Sequence, residues 1–240
     1  MSIAGVVPAA GRGERLGPGE PKALRLLAGS PLLVHAVRAL SVAQLVDIVV
    51  VAAPPDRVPA VRSLLTADGL AADVDADVQV VAGGATRQLS VRAALDHLPA
   101  EVDVVLVHDA ARPLAPPELV DSVARAVRGG LPAVVPGLPV ADTVKRVGAD
   151  GVVTDTVDRA TLRAVQTPQG FRRDVLYAAH QRVAEEAGGP PTTDDAGLVE
   201  RLGVPVHVIP GAVEAFKVTT PLDLTFAEAL LAGRRIADVW

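Results

Sequence analysis

Cysteine is absent from the 240 residues, which excludes disulfides, thiolate metal centres and a cysteine nucleophile. Aromatic residues are scarce: three Phe, one Tyr and one Trp. Half of the chain is nevertheless apolar. A core built without aromatics has to come from Val, Leu and Ala, as in a valine-rich parallel sheet flanked by helices. No apolar run reaches the roughly 18 residues of a membrane-spanning helix, and no basic region followed by a long apolar stretch opens the chain. The net charge of −5 offers no general nucleic-acid surface. The expectation is a cytoplasmic protein with neither membrane nor nucleic acid as partner. Lysine is rare as well: Lys22, Lys145 and Lys217 stand against twenty arginines. A chain that otherwise uses arginine keeps a compact ammonium at three places, and all three fall in the segments singled out below.

Valine- and isoleucine-rich runs at 3–8, 46–53, 77–82, 103–108 and 132–136 read as strands. Between them, 31–42, 56–67, 87–98 and 117–129 carry apolar residues at helical spacing. This alternation predicts an α/β fold: an open, mostly parallel, Rossmann-like sheet with helices on both faces. Ligands of such sheets sit at the carboxyl ends of the strands. After Pro136 the rhythm changes. Segments 143–147 and 152–157 around Gly148-Ala-Asp-Gly151 read as an inserted hairpin. The rest reads as helix 173–187, helix 194–202, strand 204–209, a short strand 215–219 and helix 221–233. The whole of 1–240 is expected to form one domain with a β-arm at about 138–160.

The loop after the first strand, VPAAGRGERLGPGEPKAL at 7–24, packs four glycines around Arg15 and Lys22. Glycines let backbone N–H groups approach and face an anion, and the cations lie where phosphate charge would sit. No Gly-Lys-Ser/Thr closes it, so it is not a Walker A loop. Leu16 occupies the position where a dinucleotide fingerprint needs its third glycine. An NAD-binding oxidoreductase also predicts an acid at the end of the second strand, where this chain reads Ala52-Ala53-Pro54.

The pattern Ala-Ala-Gly-x-Gly-x-Arg-Leu-Gly followed by Pro-Lys resembles the signature loop of nucleotidyltransferases that activate sugar and polyol phosphates. Further segments make the resemblance specific: GGATRQLSV at 83–91, VHDAARP at 107–113, DTVKR at 142–146, VDR at 157–159, QTPQGF at 166–171, TDDA at 193–196 and KVTTPLDL at 217–224. In this order they are similar to the 2-C-methyl-D-erythritol 4-phosphate cytidylyltransferase family over nearly the whole chain. Three departures stand out. Ala23-Leu24 follow Lys22 where the family usually has Gln-Tyr, and Ala85 stands where it often has a polar residue. Ala215-Phe216 precede Lys217 where the family often has Asn-Ile with an acid just upstream, and the nearest acid here is Glu214.

The resemblance implies a CTP-dependent transferase of non-mevalonate isoprenoid precursor synthesis, working as a homodimer in which the arm embraces the second copy. Its reaction explains why no Ser-His-Asp set is visible. The nucleophile is a phosphate oxygen, already anionic, so the barrier is charge repulsion and positioning. The resemblance assigns Arg15 and Lys22 to the α-phosphate as catalytic cations. It assigns Ala9, Ala10, Gly11, Gly13, Gly84, Ala85, Ser90 and Asp109 to CTP, and Thr143, Arg159, Thr167, Thr193 and Lys217 to the acceptor phosphate and polyol. An Asp at a strand's carboxyl end beside a triphosphate suits Mg²⁺ held mostly by the phosphates, so Asp109 is also the metal-side candidate. His108 is expected to orient its loop, and Arg87 and Arg112 are left between solvent and structure. Because the chain ends at Trp240 after its last helical stretch, the expectation is no fused cyclodiphosphate synthase. A ribitol 5-phosphate cytidylyltransferase and a non-catalytic nucleotide-binding regulator remain as alternatives.

Overall fold

The computed structural model describes residues 1–11, 21–67, 76–185 and 193–237. Strand β1 (Ser2–Pro8) leads, past a short hairpin β2 (Leu26–Leu27) and β3 (Ser30–Pro31), into α1 (Leu32–Ser41). The alternation continues with β4 (Ile48–Ala53), α2 (Val58–Ala67), β5 (Asp77–Ala82), α3 (Arg87–His97), β6 (Val102–Val107), α4 (Pro117–Arg128) and β7 (Ala133–Pro139). Strands β5, β4, β1 and β6 pair in parallel in that order. The apolar runs of β1, β4 and β6 follow from burial on both faces, whereas β5, at the edge of the sheet, is fully buried only at Val80. Ile3, Val7, Val49 and Val51 pack toward the side of α1, α2 and α4, whereas Ala4, Val6, Val50 and Val105 pack toward α3. The expected doubly wound α/β sheet is what forms.

Beyond β7 the chain makes the hairpin β8 (Val144–Val147) and β9 (Val153–Val157). It pairs only within itself, as a separate two-stranded sheet, and most of its side chains are exposed. The chain then returns through β10 (Arg163–Val165) and β11 (Gln169–Arg172), neither of which the sequence pattern indicated. Strand β11 runs antiparallel between β6 and β7, with Phe171 opposite Val105 and Ala133. Strand β10 runs antiparallel along the outer half of β7. Helices α5 (Arg173–Glu185) and α6 (Ala196–Arg201) cover the α3 face, and β12 (His207–Pro210) closes the other edge of β7 in parallel. Helix α7 (Pro221–Ala237) ends the described chain.

One expectation is overturned: 215–219 is not a strand. Residues Val213–Ala215 form a 3-10 turn, and 216–219 have no strand partner. Their apolar alternation has another origin. Val218 and Phe216 pack into a cluster with Leu27, Leu32 and Leu114 beside α7. Lys217 between them turns to the cleft described next.

Candidate active site

At the carboxyl ends of β1, β5 and β6 a cleft of about 200 Å³ is lined by Ala9, Ala10, Gly11, Lys22, Arg87, Ser90, Asp109 and Lys217, among others. Backbone bonds fix its floor. Ala9 N–H donates to Ala52 O (2.8 Å), Gly83 N–H to Ala53 O (2.7 Å) and His108 N–H to Val6 O (2.8 Å). The two glycines of 83–84 are required by crowding. A Cβ on Gly83 would meet the Ala10 Cβ at 2.8 Å, and one on Gly84 the Leu89 Cβ at 2.3 Å. The Gly84 N–H donates to Ser90 Oγ (3.2 Å), and that hydroxyl donates to Thr86 O (2.8 Å). Thr86 caps α3 through Leu89 N–H (3.1 Å), so this turn is rigid.

Asp109 is the centre of charge. Its Oδ2 accepts from Lys217 Nζ at 2.7 Å and its Oδ1 faces Arg87 Nε at 3.4 Å. Burial alone would raise this carboxyl's pKa, but the positive charges of Arg87 and Lys217 outweigh it and hold the group well below the usual carboxylate range. Arg87 reaches further. Its NH1 donates to Asp195 Oδ2 at 2.6 Å, and Asp195 Oδ1 accepts from His180 Nε2 at 2.9 Å. Burial opposes the charge on Arg87, yet Asp195 and Asp109 together raise its pKa. The sequence left Arg87 between two readings; the structure places it in the cleft between two carboxylates.

The HDAARP segment is held from behind. His108 is fully buried, its Nε2 donating to Arg112 O (3.1 Å) and its Nδ1 accepting from Thr167 Oγ1 (3.0 Å). Thr167 Oγ1 in turn accepts from Asp109 N–H at 3.0 Å. Arg112 clamps the Lys217 segment, NH1 donating to Ala215 O at 2.7 Å, while Val218 N–H donates to Ala111 O at 2.8 Å. Beyond Lys217, Thr220 and Asp223 form a reciprocal capping box on α7, at 3.2 and 2.7 Å. Burial opposes the charge on Asp223, but the donors of Thr219 and Thr220 together outweigh it and hold the group down at about 2.

Burial pushes the His108 imidazole down to about 4, outweighing the Asp109 charge beside it. The unfolded chain would protonate it near 6.5. Between those values the unfolded state binds a proton that the folded state refuses, so stability falls as the pH drops through that window. The expected loss is about 3 kcal/mol between pH 6.5 and 4. Denaturant titrations across this range should show the slope, and His108→Gln should flatten it. An unchanged slope in that variant would assign it to other groups.

The predicted residues thus divide. Ala9, Ala10, Gly11, Lys22, Ser90, Asp109 and Lys217 converge on one cleft. Gly84 supports it from the turn, and Ala85 is exposed beside it. Thr167 is buried with its hydroxyl bonded to His108 and Asp109. Thr193 is exposed just ahead of Asp194 and Asp195. Thr143 and Arg159 lie exposed on the arm, outside this chain's cleft, and Arg159 donates to Ala141 O. Arg15 and Gly13 fall outside the described residues. The sequence passed over Asp195 and His180. The TDDA segment held a signal, since two adjacent acids open α6, whereas His180 is one more residue of a helix.

A family model described as 2-C-methyl-D-erythritol 4-phosphate cytidylyltransferase matches residues 3–233. A Streptomyces avermitilis protein of that name is 57% identical over 241 aligned residues, covering 98% of this chain and 94% of the relative. One from Frankia casuarinae is 61% identical, over 98% and 84%. Among solved structures, the Thermus thermophilus 2-C-methyl-D-erythritol 4-phosphate cytidylyltransferase superposes with a TM-score of 0.75 at 36% identity, covering 96% of this chain and 98% of that one. The 4-diphosphocytidyl-2C-methyl-D-erythritol synthase of Anaerococcus prevotii reaches 0.81 at 28% identity, over 96% and 98%. Those matches run the length of the sheet and its cleft, and the chain belongs to the 2-C-methyl-D-erythritol 4-phosphate cytidylyltransferase family.

Proposed function

We propose that the chain joins CTP to 2-C-methyl-D-erythritol 4-phosphate, giving 4-diphosphocytidyl-2-C-methyl-D-erythritol and pyrophosphate for non-mevalonate isoprenoid precursor synthesis. The observation that carries this reading is the convergence of Lys22 and Lys217 on a cleft at the strand ends, beside the glycine-lined turn 83–84. An oxygen of the acceptor phosphate attacks the α-phosphorus of CTP, and the bond to the bridging oxygen of pyrophosphate breaks. No proton has to be removed from the nucleophile. Catalysis therefore consists of positioning and of stabilising charge on the oxygens around phosphorus.

In this reading Ala9, Ala10, Gly11 and Gly13 present backbone to the triphosphate, with Arg15 and Lys22 at the α-phosphate. Gly84, Ala85 and Ser90 read the cytosine edge, largely through backbone. Asp109 faces the ribose, Lys217 and Thr193 border the acceptor, and Thr167, buried behind them, holds His108 and the Asp109 backbone in place. Thr143 and Arg159 of one copy complete the acceptor site of the other in a homodimer. Val147, Val152 and Val153 leave apolar surface on the arm, and a two-stranded hairpin is marginal without something to pack on.

Among the described residues no group of three or more His, Asp or Glu side chains is placed to hold a metal ion. Both oxygens of Asp109 already face cations. A divalent ion such as Mg²⁺ fits this cleft as a companion of the nucleotide, held by phosphate oxygens and water with Asp109 at its margin. Its contribution there would be to reduce phosphate charge.

Pyrophosphate release from CTP is the direct test, with methylerythritol 4-phosphate and ribitol 5-phosphate compared under matched conditions. Strong preference for the first is expected. Preference for the second would keep the chemistry and reassign the acceptor, and release with neither would overturn the proposal. The arm has its own test. Arg159→Ala should raise the acceptor KM at least about tenfold and leave CTP binding within about twofold. Mixing it with Lys22→Met subunits should restore activity, because one hybrid site then holds both intact residues. No recovery on mixing would place Arg159 in its own subunit's site.

A further inference from the structure

Five charged or titratable side chains form a single line through the protein: His180, Asp195, Arg87, Asp109 and Lys217, joined at 2.9, 2.6, 3.4 and 2.7 Å. The proposed chemistry uses the last two. The first three lie behind them on α5, at the start of α6 and at the start of α3. Three features show that this end of the line is built at the expense of local preferences.

Asp195 stands at the N-cap of α6, where an Asp side chain normally accepts a backbone N–H. It makes no such bond. Asp194 accepts from Gly197 N–H instead, at 3.0 Å, and is itself held by Gln169 of β11 at 2.7 Å. Arg87 is the first residue of α3, the end of a helix that disfavours a cation. Asp195 is completely buried, and its two oxygens are divided between Arg87 and His180. A buried ion pair of this kind is weak as a source of stability compared with apolar packing; fixing geometry is its better-attested use.

We propose that Asp195 and His180 are positioning residues for the reaction, acting through Arg87 on Asp109. His180 fixes one oxygen of Asp195, and the other fixes the Arg87 guanidinium. The remaining Nε–H of Arg87 then sets the direction of Asp109 Oδ1, which leaves Oδ2 to aim Lys217. This rests on the cytidylyltransferase reading for what Asp109 and Lys217 do. The line itself is a property of the free protein.

A double-mutant cycle tests it. Asp195→Asn should lower kcat/KM about tenfold in the otherwise unchanged chain and less than about twofold in an Asp109→Asn background. A merely structural role would give equal losses in both, and that result overturns the proposal. Should Asp195→Asn not fold, His180 supplies the second pair of variants. His180→Ala should reproduce the loss, and His180→Gln, which keeps a donor, should recover to within about threefold of the parent. Equal activity of these two variants would overturn the role of His180. A substrate-free readout separates this from the proposed function. The three lysines, labelled at Cε, give three NMR signals. Asp195→Asn should move that of Lys217 and leave that of Lys145 on the arm in place. An unmoved Lys217 signal overturns the proposal even in an active enzyme. If the parent chain turns over no substrate, the functional reading fails and the Lys217 signal alone decides.

Discussion

Lys22→Met should lower kcat about 10²- to 10³-fold while the CTP dissociation constant, measured by calorimetry, changes less than about threefold. The asymmetry follows from when the charge is needed. In bound CTP the α-phosphate carries one charge, shared over its oxygens and solvated in part by its neighbours. As the acceptor oxygen arrives, negative charge accumulates around that phosphorus, and an ammonium held beside it is worth most at that moment. Lys22 lines the cleft that also holds Lys217 and Asp109. Methionine keeps the stem's bulk and removes only the charge. Losses of similar size in binding and turnover would mean that Lys22 serves ground-state affinity, and the catalytic assignment would then shift to other groups.

The second large effect concerns stability. Phe171→Ala should cost about 3–5 kcal/mol, a large part of the 5–15 kcal/mol typical of a folded domain. Phe171 is completely buried in β11, opposite Val105 and Ala133 and packed in the cluster of the α3 and α5 face. Its neighbours in that cluster are mostly Val, Leu and Ala, short side chains that cannot fill the space a phenyl ring leaves. Thermal unfolding should fall by about 6–20 °C for a chain of this size. Phe171→Leu should lose less than about half as much. A small effect of the alanine variant would show that β11 can be loosened without the sheet, contrary to its place between β6 and β7.

That strand also shows where the sequence stops being readable. Strands β1, β4 and β6 announce themselves because burial on both faces demands mostly apolar residues, and the edge strand β5 by its three valines. Strand β11 is Gln-Gly-Phe-Arg. Only Phe171 in its composition favours extension; its partners on β6 lie more than 60 positions earlier and confer the strand on it. The opposite error occurred at 215–219. There Phe216 and Val218 alternate with polar neighbours because they pack beside α7, so period two appeared without a sheet. The site divides along the same line. Lys22, Asp109 and Lys217 sit in segments whose composition is already unusual. Arg87 and Asp195 also lie in segments that stood out, but their pairing, and the part taken by His180, are marked only by contacts, across 108 positions from Arg87 to Asp195 and 15 from His180 to Asp195. Such a relation exists only after folding.

The cleft's balance of charge bears on how a polyanion finds it. Among the described residues three cations and one carboxylate line it, in a chain whose net charge is −5. In about 0.15 M salt, fields fade over roughly 8 Å. The scattered acids of the outer surface are then silent to an approaching nucleotide, and only the cations at the strand ends act on it. In dilute buffer the reach grows to about 30 Å at 0.01 M, and the whole molecule's negative charge repels the ligand before the cleft attracts it. Capture of a triphosphate by this protein is therefore favoured by ordinary physiological ionic strength, where a uniformly basic binding surface would be weakened by it.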